Sequence, residues 1–316
     1  MPKLDEIPLE WEYPDEGSPL KAGSITLLDF LSAKIFDDYE PTQFIPFRQR
    51  LLMWLNNVES TEEQQFLLAL LLDVFYVGRH EFESMYRSVY RHAVFQWLLE
   101  GHNISPFVSN LENRIRNLAN KSWICPISDS LRINSFLKIN GLKSRDKRPD
   151  WRSLEQFADA GKIRDYVDQK KIVDLVLLED FVGSGIQASS SIKFAARILP
   201  DVRILLAPLV VCPTGNNDLH ELVKKFSNIT YMPNVVLPQN AIQCYETFKN
   251  GNGSALDIFL AGLYKRLKFR SEKGMFGFMQ TGAKVVMYSN CPNNSLPVFH
   301  KETPNWAPLF PRVTRE

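Results

Sequence analysis

The sequence has almost no excess charge of either sign: 37 Lys and Arg stand against 36 Asp and Glu, a formal net charge of +1 over 316 residues. A general nucleic-acid binder carries a basic excess, so that class is set aside. Long apolar runs are missing too. The longest are 66–72, cut by Asp73, and 204–212, interrupted by Pro208; both fall far short of the roughly 20 residues that span a bilayer. The first residues are acidic and lack the apolar centre of a secretory signal. Cysteine is sparse. Cys125, Cys212, Cys244 and Cys291 lie far apart with no C-x-x-C pair, which argues against a zinc or redox motif. They read as reduced, mostly buried thiols, and the chain is expected to be cytoplasmic, with no membrane partner. The five histidines show no ligand spacing and receive no role.

What is present is apolar material, 45% of residues with 12% aromatic, too much for a disordered chain and enough for a substantial core. Residues 1–22, rich in Pro and acids, read as an extended arm. Residues 23–105 read as a helical region packed on the core: helices are expected over 27–39 (with Ser24 or Thr26 as cap), 46–58, 61–77 (with Thr61 opening a capping box) and 80–100. In the last, Phe82, Met85, Tyr86, Val89, Tyr90, Ala93, Val94 and Trp97 recur at helical spacing, the mark of one buried face. From 106 to 316 the pattern alternates. Helices are expected over 106–120, 153–169, 184–199, 214–227 and 256–268. Strands are expected over 123–127, 172–178, 202–212, 229–237 and 283–288. Strand–helix–strand alternation with continuous β-branched runs implies an α/β domain around a parallel sheet. Its closing segment is rich in Pro and Asn, and Phe299, Trp306 and Phe310 should pin it to the body.

The chemistry-bearing stretch is Val173-Asp174-Leu175-Val176-Leu177-Leu178-Glu179-Asp180-Phe181-Val182-Gly183-Ser184-Gly185-Ile186-Gln187. An apolar strand ends in two carboxylates; two apolar residues, Gly-Ser-Gly and a helix follow. Sites in open α/β sheets lie beyond the carboxyl ends of the strands. Glycines permit close approach of a ligand, and a helix start offers unpaired N–H groups and a positive dipole end, so the turn suits a phosphate. The two acids would repel phosphate; they suit sugar hydroxyls or, through oxygen, a divalent metal. The pattern therefore points to a ribose 5-phosphate, diol on the acids and phosphate on the turn. Two other readings stand beside it. Gly-Ser-Gly is also ordinary turn chemistry, and Gly183-x-Gly185-x-x-Ala188 fits the loose dinucleotide fingerprint, although the next strand ends Val211-Cys212-Pro213 without that fold's acid.

This stretch resembles the phosphoribosyl-pyrophosphate loop of type I phosphoribosyltransferases. The resemblance implies Glu179 and Asp180 as catalytic and ribose-binding acids, and Gly183, Ser184, Gly185, Ile186 and Gln187 as the 5-phosphate loop. Gly183 stands where the family usually has its first Thr, and Gln187 where another Thr is usual. It also implies a pyrophosphate loop after an earlier strand, here Ser128, Asp129 and Ser130, and Mg²⁺ held with the help of Asp129 and Asp180. Ser-Asp-Ser is equally plain capping chemistry. The basic residues Lys143, Arg145, Lys147 and Arg148 form a loop closing over a polyphosphate, a local nucleic-acid contact or a solvated charge run. Asn290, Asn293 and Asn294 either read a base edge or make turns.

Four segments taken as a set resemble phosphoribosyltransferase-like proteins of bacterial conflict (antiphage) systems, including retron-associated ones. They are Leu51-Leu52-Met53-Trp54-Leu55, the Glu-Asp-Phe-x-Gly-Ser-Gly-x-Gln run, Ser289 to Pro297, and Trp306-Ala307-Pro308-Leu309-Phe310-Pro311-Arg312. This implies an α/β fold of type I phosphoribosyltransferase type, a ligand such as phosphoribosyl pyrophosphate or a nucleotide, and an effector role in defence. A catalytically inactive sensor or scaffold for a defence-system protein or nucleoprotein is the alternative.

Overall fold

The computed structural model describes residues 4–42, 44–143, 147–243, 254–266 and 274–313. The chain forms two compact units, one from residues 1–79 with 239–316, the other from 80–238. The helical region expected over 23–105 is thus divided between them. Seven strands are described: β1 (Phe75–Val77), β2 (Trp123–Pro126), β3 (Asp174–Val182), β4 (Arg203–Val211), β5 (Ile229–Tyr231), β6 (Val235–Val236) and β7 (Val285–Met287).

In the discontinuous unit, β1 and β7 pair in parallel, Phe75 opposite Val285. Around them lie the helices Ser24–Lys34, Phe47–Leu55, Thr61–Leu72 and Ala255–Arg266. The N-terminal arm is not free. Ile7, Trp11 and Leu20 are buried, and Leu9–Glu12 makes a 3₁₀ turn. From that turn Glu12 caps the first helix, its carboxylate accepting from the N–H groups of Ile25 and Thr26 and the Thr26 hydroxyl; the expected caps Ser24 and Thr26 are displaced by this non-local acid. The Thr61 cap is corrected by one residue: Ser60 Oγ accepts from the Glu63 N–H. Beside these helices the Pro-rich tail is anchored as expected, with Phe299, Trp306 and Phe310 fully buried. The indole N–H groups of Trp54 and Trp306 both donate to the carbonyl of Val298, at 2.8 and 3.0 Å. Asn57 pairs reciprocally with the backbone of Ala307. Arg50 is buried among Tyr39, Phe47 and Phe310 and donates to the carbonyls of Ile45, Leu309 and Phe36. Segments far apart in the sequence therefore close one aromatic core.

The 80–238 unit is built on a parallel sheet ordered β2-β3-β4-β5, with β6 also on β4. β3 and β4 are buried almost throughout, as their continuous aliphatic runs require. The strand expected over 229–237 is two short ones. Pro208 of β4 stands opposite the gap between them; it has no N–H to donate, and only its carbonyl is used, by Asn234 N. The helix expected over 153–169 is likewise two, Trp151–Phe157 and Ala160–Lys170, because Asp150 and Asp159 each cap a new start. The helical run Arg79–Gly101 carries a π turn at Val89–Val94, with Phe82, Tyr86, Val89, Ala93, Val94 and Trp97 buried as the periodicity demands. At the amino end of β3, the other end of the strand from the acids, Asp174 joins His102 (2.7 Å) and Arg203 (2.8 Å), and Arg203 lies over the Trp97 ring. Among the described residues no helix is long and apolar enough to cross a membrane.

Candidate functional site

β3 does not stop at Leu178. It runs on through Glu179 and Asp180 to Val182, with Phe181 opposite Val210 and Val182 opposite Val211. The two acids are therefore part of the strand's carboxyl end, and the Gly183-Ser184-Gly185 turn follows the ladder directly. Gly185 has φ +79° and ends the turn as the N-cap of the helix Ile186–Ile198. No side chain caps this helix, so its first N–H groups face outward from the turn without an intrahelical partner. Ser184 is over nine-tenths buried, and among the described residues its hydroxyl makes no hydrogen bond. Ile186 and Gln187 are exposed. The neighbouring helix, Pro213–Val223, buttresses the turn: a Cβ on Gly215 would stand 2.4 Å from the Gly183 carbonyl oxygen. Gly215 carries no signal in sequence beyond a Pro-Thr-Gly helix start.

The turn after β2 meets the acids because β2 and β3 are register neighbours, Pro126 opposite Leu178 and Ile127 N bonded to the Leu178 carbonyl. Ser128 N–H donates to Glu179 Oε2 (2.9 Å) and Ser128 Oγ to Glu179 Oε1 (2.6 Å). Ser130 Oγ donates to Asp180 Oδ1 at 2.8 Å. The two serine oxygens are 2.7 Å apart. Either serine hydroxyl can donate to the other, but only by giving up its donation to an acid. Both acids are buried; desolvation first, then the charge of Asp180, raises the carboxyl of Glu179 above the ordinary range, and desolvation raises that of Asp180.

The structure thus brings Ser128, Ser130, Glu179 and Asp180 together, with Gly183 to Gln187 following along the same strand end. Asp129 is exposed on the turn between the serines. Among the described residues no group of three or more His, Cys, Asp or Glu is placed to hold a metal. The basic loop and the asparagines have structural partners. Arg148 donates to the carbonyls of Ile124 and Lys143, and Lys147 accepts from the Trp123 indole; Arg145 lies outside the described residues. Asn294 is buried and donates to Phe278 O and Thr281 Oγ1. Asn290 binds the backbone of Val313, and the Asn293 carbonyl accepts from Phe278 N. These are turn and anchoring roles. Cys125, Cys212 and Cys291 are buried, as expected; Cys244 lies outside the described residues.

No curated protein matches the chain. No solved structure matches it either. A family model, PRTase-CE, matches residues 51–312, a span that takes in both units, the acid pair with its glycine turn, and the Trp54 and Trp306 anchors. The chain belongs to this phosphoribosyltransferase-like family.

Proposed function

We propose that the chain binds a ribose 5-phosphate ligand, phosphoribosyl pyrophosphate or a nucleotide, with Mg²⁺ at the carboxyl ends of β2 and β3, and acts at its anomeric carbon. The observation that carries this reading is the uninterrupted passage from a buried acid pair into a glycine turn and an uncapped helix start, with the unpartnered Ser184 hydroxyl between them. Glu179 and Asp180 accept the two ring hydroxyls. The turn, Ser184 and the first N–H groups of the following helix hold the phosphate. A sugar gripped at both ends presents its anomeric carbon in one orientation, and positioning of this kind supplies much of the rate in such displacements. The bond from that carbon to pyrophosphate, or to a base, breaks with its electron pair leaving on the departing group; an acceptor nucleophile or water then forms the new bond.

Magnesium usually takes one or two carboxylates together with substrate phosphates. Asp180 with the exposed Asp129 fits that ligand-borne arrangement and would hold the ion; a cage built from protein alone does not fit. When bound, the ion supplies positive charge to the departing phosphates. An effector role in antiphage defence, in the cytoplasm, rests on the likeness of the four segments to conflict-system proteins.

A second reading, an inactive nucleotide sensor or scaffold for a protein or nucleoprotein, is favoured by one observation. Both serine hydroxyls of the turn after β2 and the Ser128 N–H are already engaged by the acids. Incubation with phosphoribosyl pyrophosphate, Mg²⁺ and a nucleotide pool, with products followed by mass spectrometry, separates the two. Turnover lost in Glu179→Ala/Asp180→Ala supports the enzyme. Ligand-dependent thermal stabilisation without turnover, abolished by the same pair of changes, supports the sensor. No binding of either ligand overturns both.

A further inference from the structure

We propose that the Ser128–Asp129–Ser130 turn is a latch whose two hydroxyls occupy the seats that a ligand's vicinal diol takes on Glu179 and Asp180, and that the turn withdraws when the diol binds. The proposal rests on the ribose-phosphate reading above and adds a regulation of that site.

The geometry is that of a built-in diol. One hydroxyl sits on each acid, at 2.6 and 2.8 Å, and the two oxygens are 2.7 Å apart, the separation of neighbouring hydroxyls on a furanose cis-diol. A loop that holds pyrophosphate must offer its hydroxyls and N–H groups to an anion on the ligand. Here Ser128 gives both its N–H and its hydroxyl to Glu179, so these donors reach a ligand only after leaving the acid. The turn is short and has fixed ends. Ile127 is buried and bonded through its N–H to Leu178 and through its carbonyl to Arg152 N, and Leu131 is buried. Between them Asp129 and Ser130 are exposed, so withdrawal moves few residues and uncovers no core. The latch also solves a problem of the empty site. Two neighbouring carboxyls buried without partners are costly, and the serines supply the missing donors until a ligand does.

The latch and the pyrophosphate-loop role predict opposite signs. If the serines compete with the diol, removing their hydroxyls strengthens binding, because the free protein no longer has to give up those bonds. Calorimetric titration with ribose 5-phosphate and Mg²⁺ tests this. Ser128→Ala/Ser130→Ala is expected to melt earlier when unliganded and to bind about five- to tenfold more tightly than the unaltered chain, the scale of one hydrogen bond. Ser130→Ala alone, at an exposed position, is expected to show part of the gain with little effect on folding. The gain should shrink for 2-deoxyribose 5-phosphate, which lacks one of the competing hydroxyls. In the unaltered chain, ligand should speed hydrogen exchange at the Ser128 amide while slowing it at the start of the helix Ile186–Ile198. Weaker or unchanged binding by the serine variants, or slower exchange at Ser128, overturns the latch and leaves the site reading standing. Failure of the unaltered chain and the serine variants alike to bind ribose 5-phosphate or phosphoribosyl pyrophosphate overturns the site reading, and the latch falls with it.

Discussion

Gly215 lies so close beneath Gly183 that any Cβ added to it would reach within 2.4 Å of the Gly183 carbonyl oxygen and 3.0 Å of Val182 Cγ1. The turn proposed to hold phosphate is therefore shaped from below by the first turn of the next helix. Gly215→Ala should cost about 1–3 kcal/mol of stability, the usual scale of overpacking. It should also weaken ribose 5-phosphate binding, because the obstructing atom is backbone of the turn itself. Thermal melts paired with titration check both effects. A variant with unchanged melting temperature and affinity would show that the turn is not set by this contact.

Trp54 and Trp306 share a single acceptor, the Val298 carbonyl. Replacing either by Phe leaves that carbonyl one donor; replacing both leaves it with neither. The double variant is expected to lose more than the sum of the singles, by about 0.5–2 kcal/mol, since an unsatisfied buried carbonyl carries the full desolvation cost. Denaturant unfolding of the four proteins in a double-mutant cycle measures the excess, and strict additivity would refute the shared-acceptor account.

His300 is packed against the Ser295 carbonyl, to which its Nε2–H donates, and burial pushes its pKa down from 6.5 to about 4. In the unfolded chain the ring takes a proton near 6.5, so the unfolded state binds more protons between those values. Stability on this account is full above pH 6.5 and falls as pH drops toward 4, by up to roughly 3 kcal/mol. His300→Gln keeps an N–H donor and should flatten that part of the pH profile relative to the unaltered chain. Superimposable profiles in urea titrations from pH 4 to 7 would exclude the effect.

Asp174 is the shared anion between His102 and Arg203. Asp174→Asn removes the charge and keeps the shape. A cost of about 2–3 kcal/mol is expected, below that of breaking a fully buried pair, because the side chains of His102 and Arg203 retain 27% and 32% exposure. The change lies at the other end of β3 from the acid pair, so ribose 5-phosphate affinity should hold. A loss of binding in a variant that still folds would show coupling across the sheet.

The fold was legible wherever one pattern ran long enough to dominate. The aliphatic runs before Glu179 and after Asp201 identify β3 and β4, and the repeat from Phe82 to Trp97 identifies a buried helix face. The Glu-Asp-Phe-x-Gly-Ser-Gly run located the acid pair and the turn. Where local and distant preferences compete, the pattern misleads. Glu179 and Asp180 look like the end of a strand because they are charged, yet pairing with β4 carries the strand through them. Glu12 takes over the cap expected of Ser24 or Thr26. β1 is only three residues long and lies in the span read as a helix over 61–77; only its pairing with β7, inside the strand expected over 283–288, makes it a strand. The hydrogen bonds from Ser128 and Ser130 to the acids join residues 51 and 50 positions apart, and nothing local to either stretch announces that the other will be its partner.

The pairing of Phe75 with Val285 has a consequence in time. The unit that contains it is made from the two ends of the described chain, and its aromatic core needs Phe299, Trp306 and Phe310. During synthesis the whole of 80–238 leaves the ribosome before 239–316 does, with every strand of its parallel sheet in hand, and is free to fold as a unit. The N-terminal helices must wait, with Trp54 and Phe47 uncovered, until the last segment arrives. Closure over so long a separation makes this the slow step, and a chain cut short before residue 285 would carry a finished sheet beside an exposed, unfinished core.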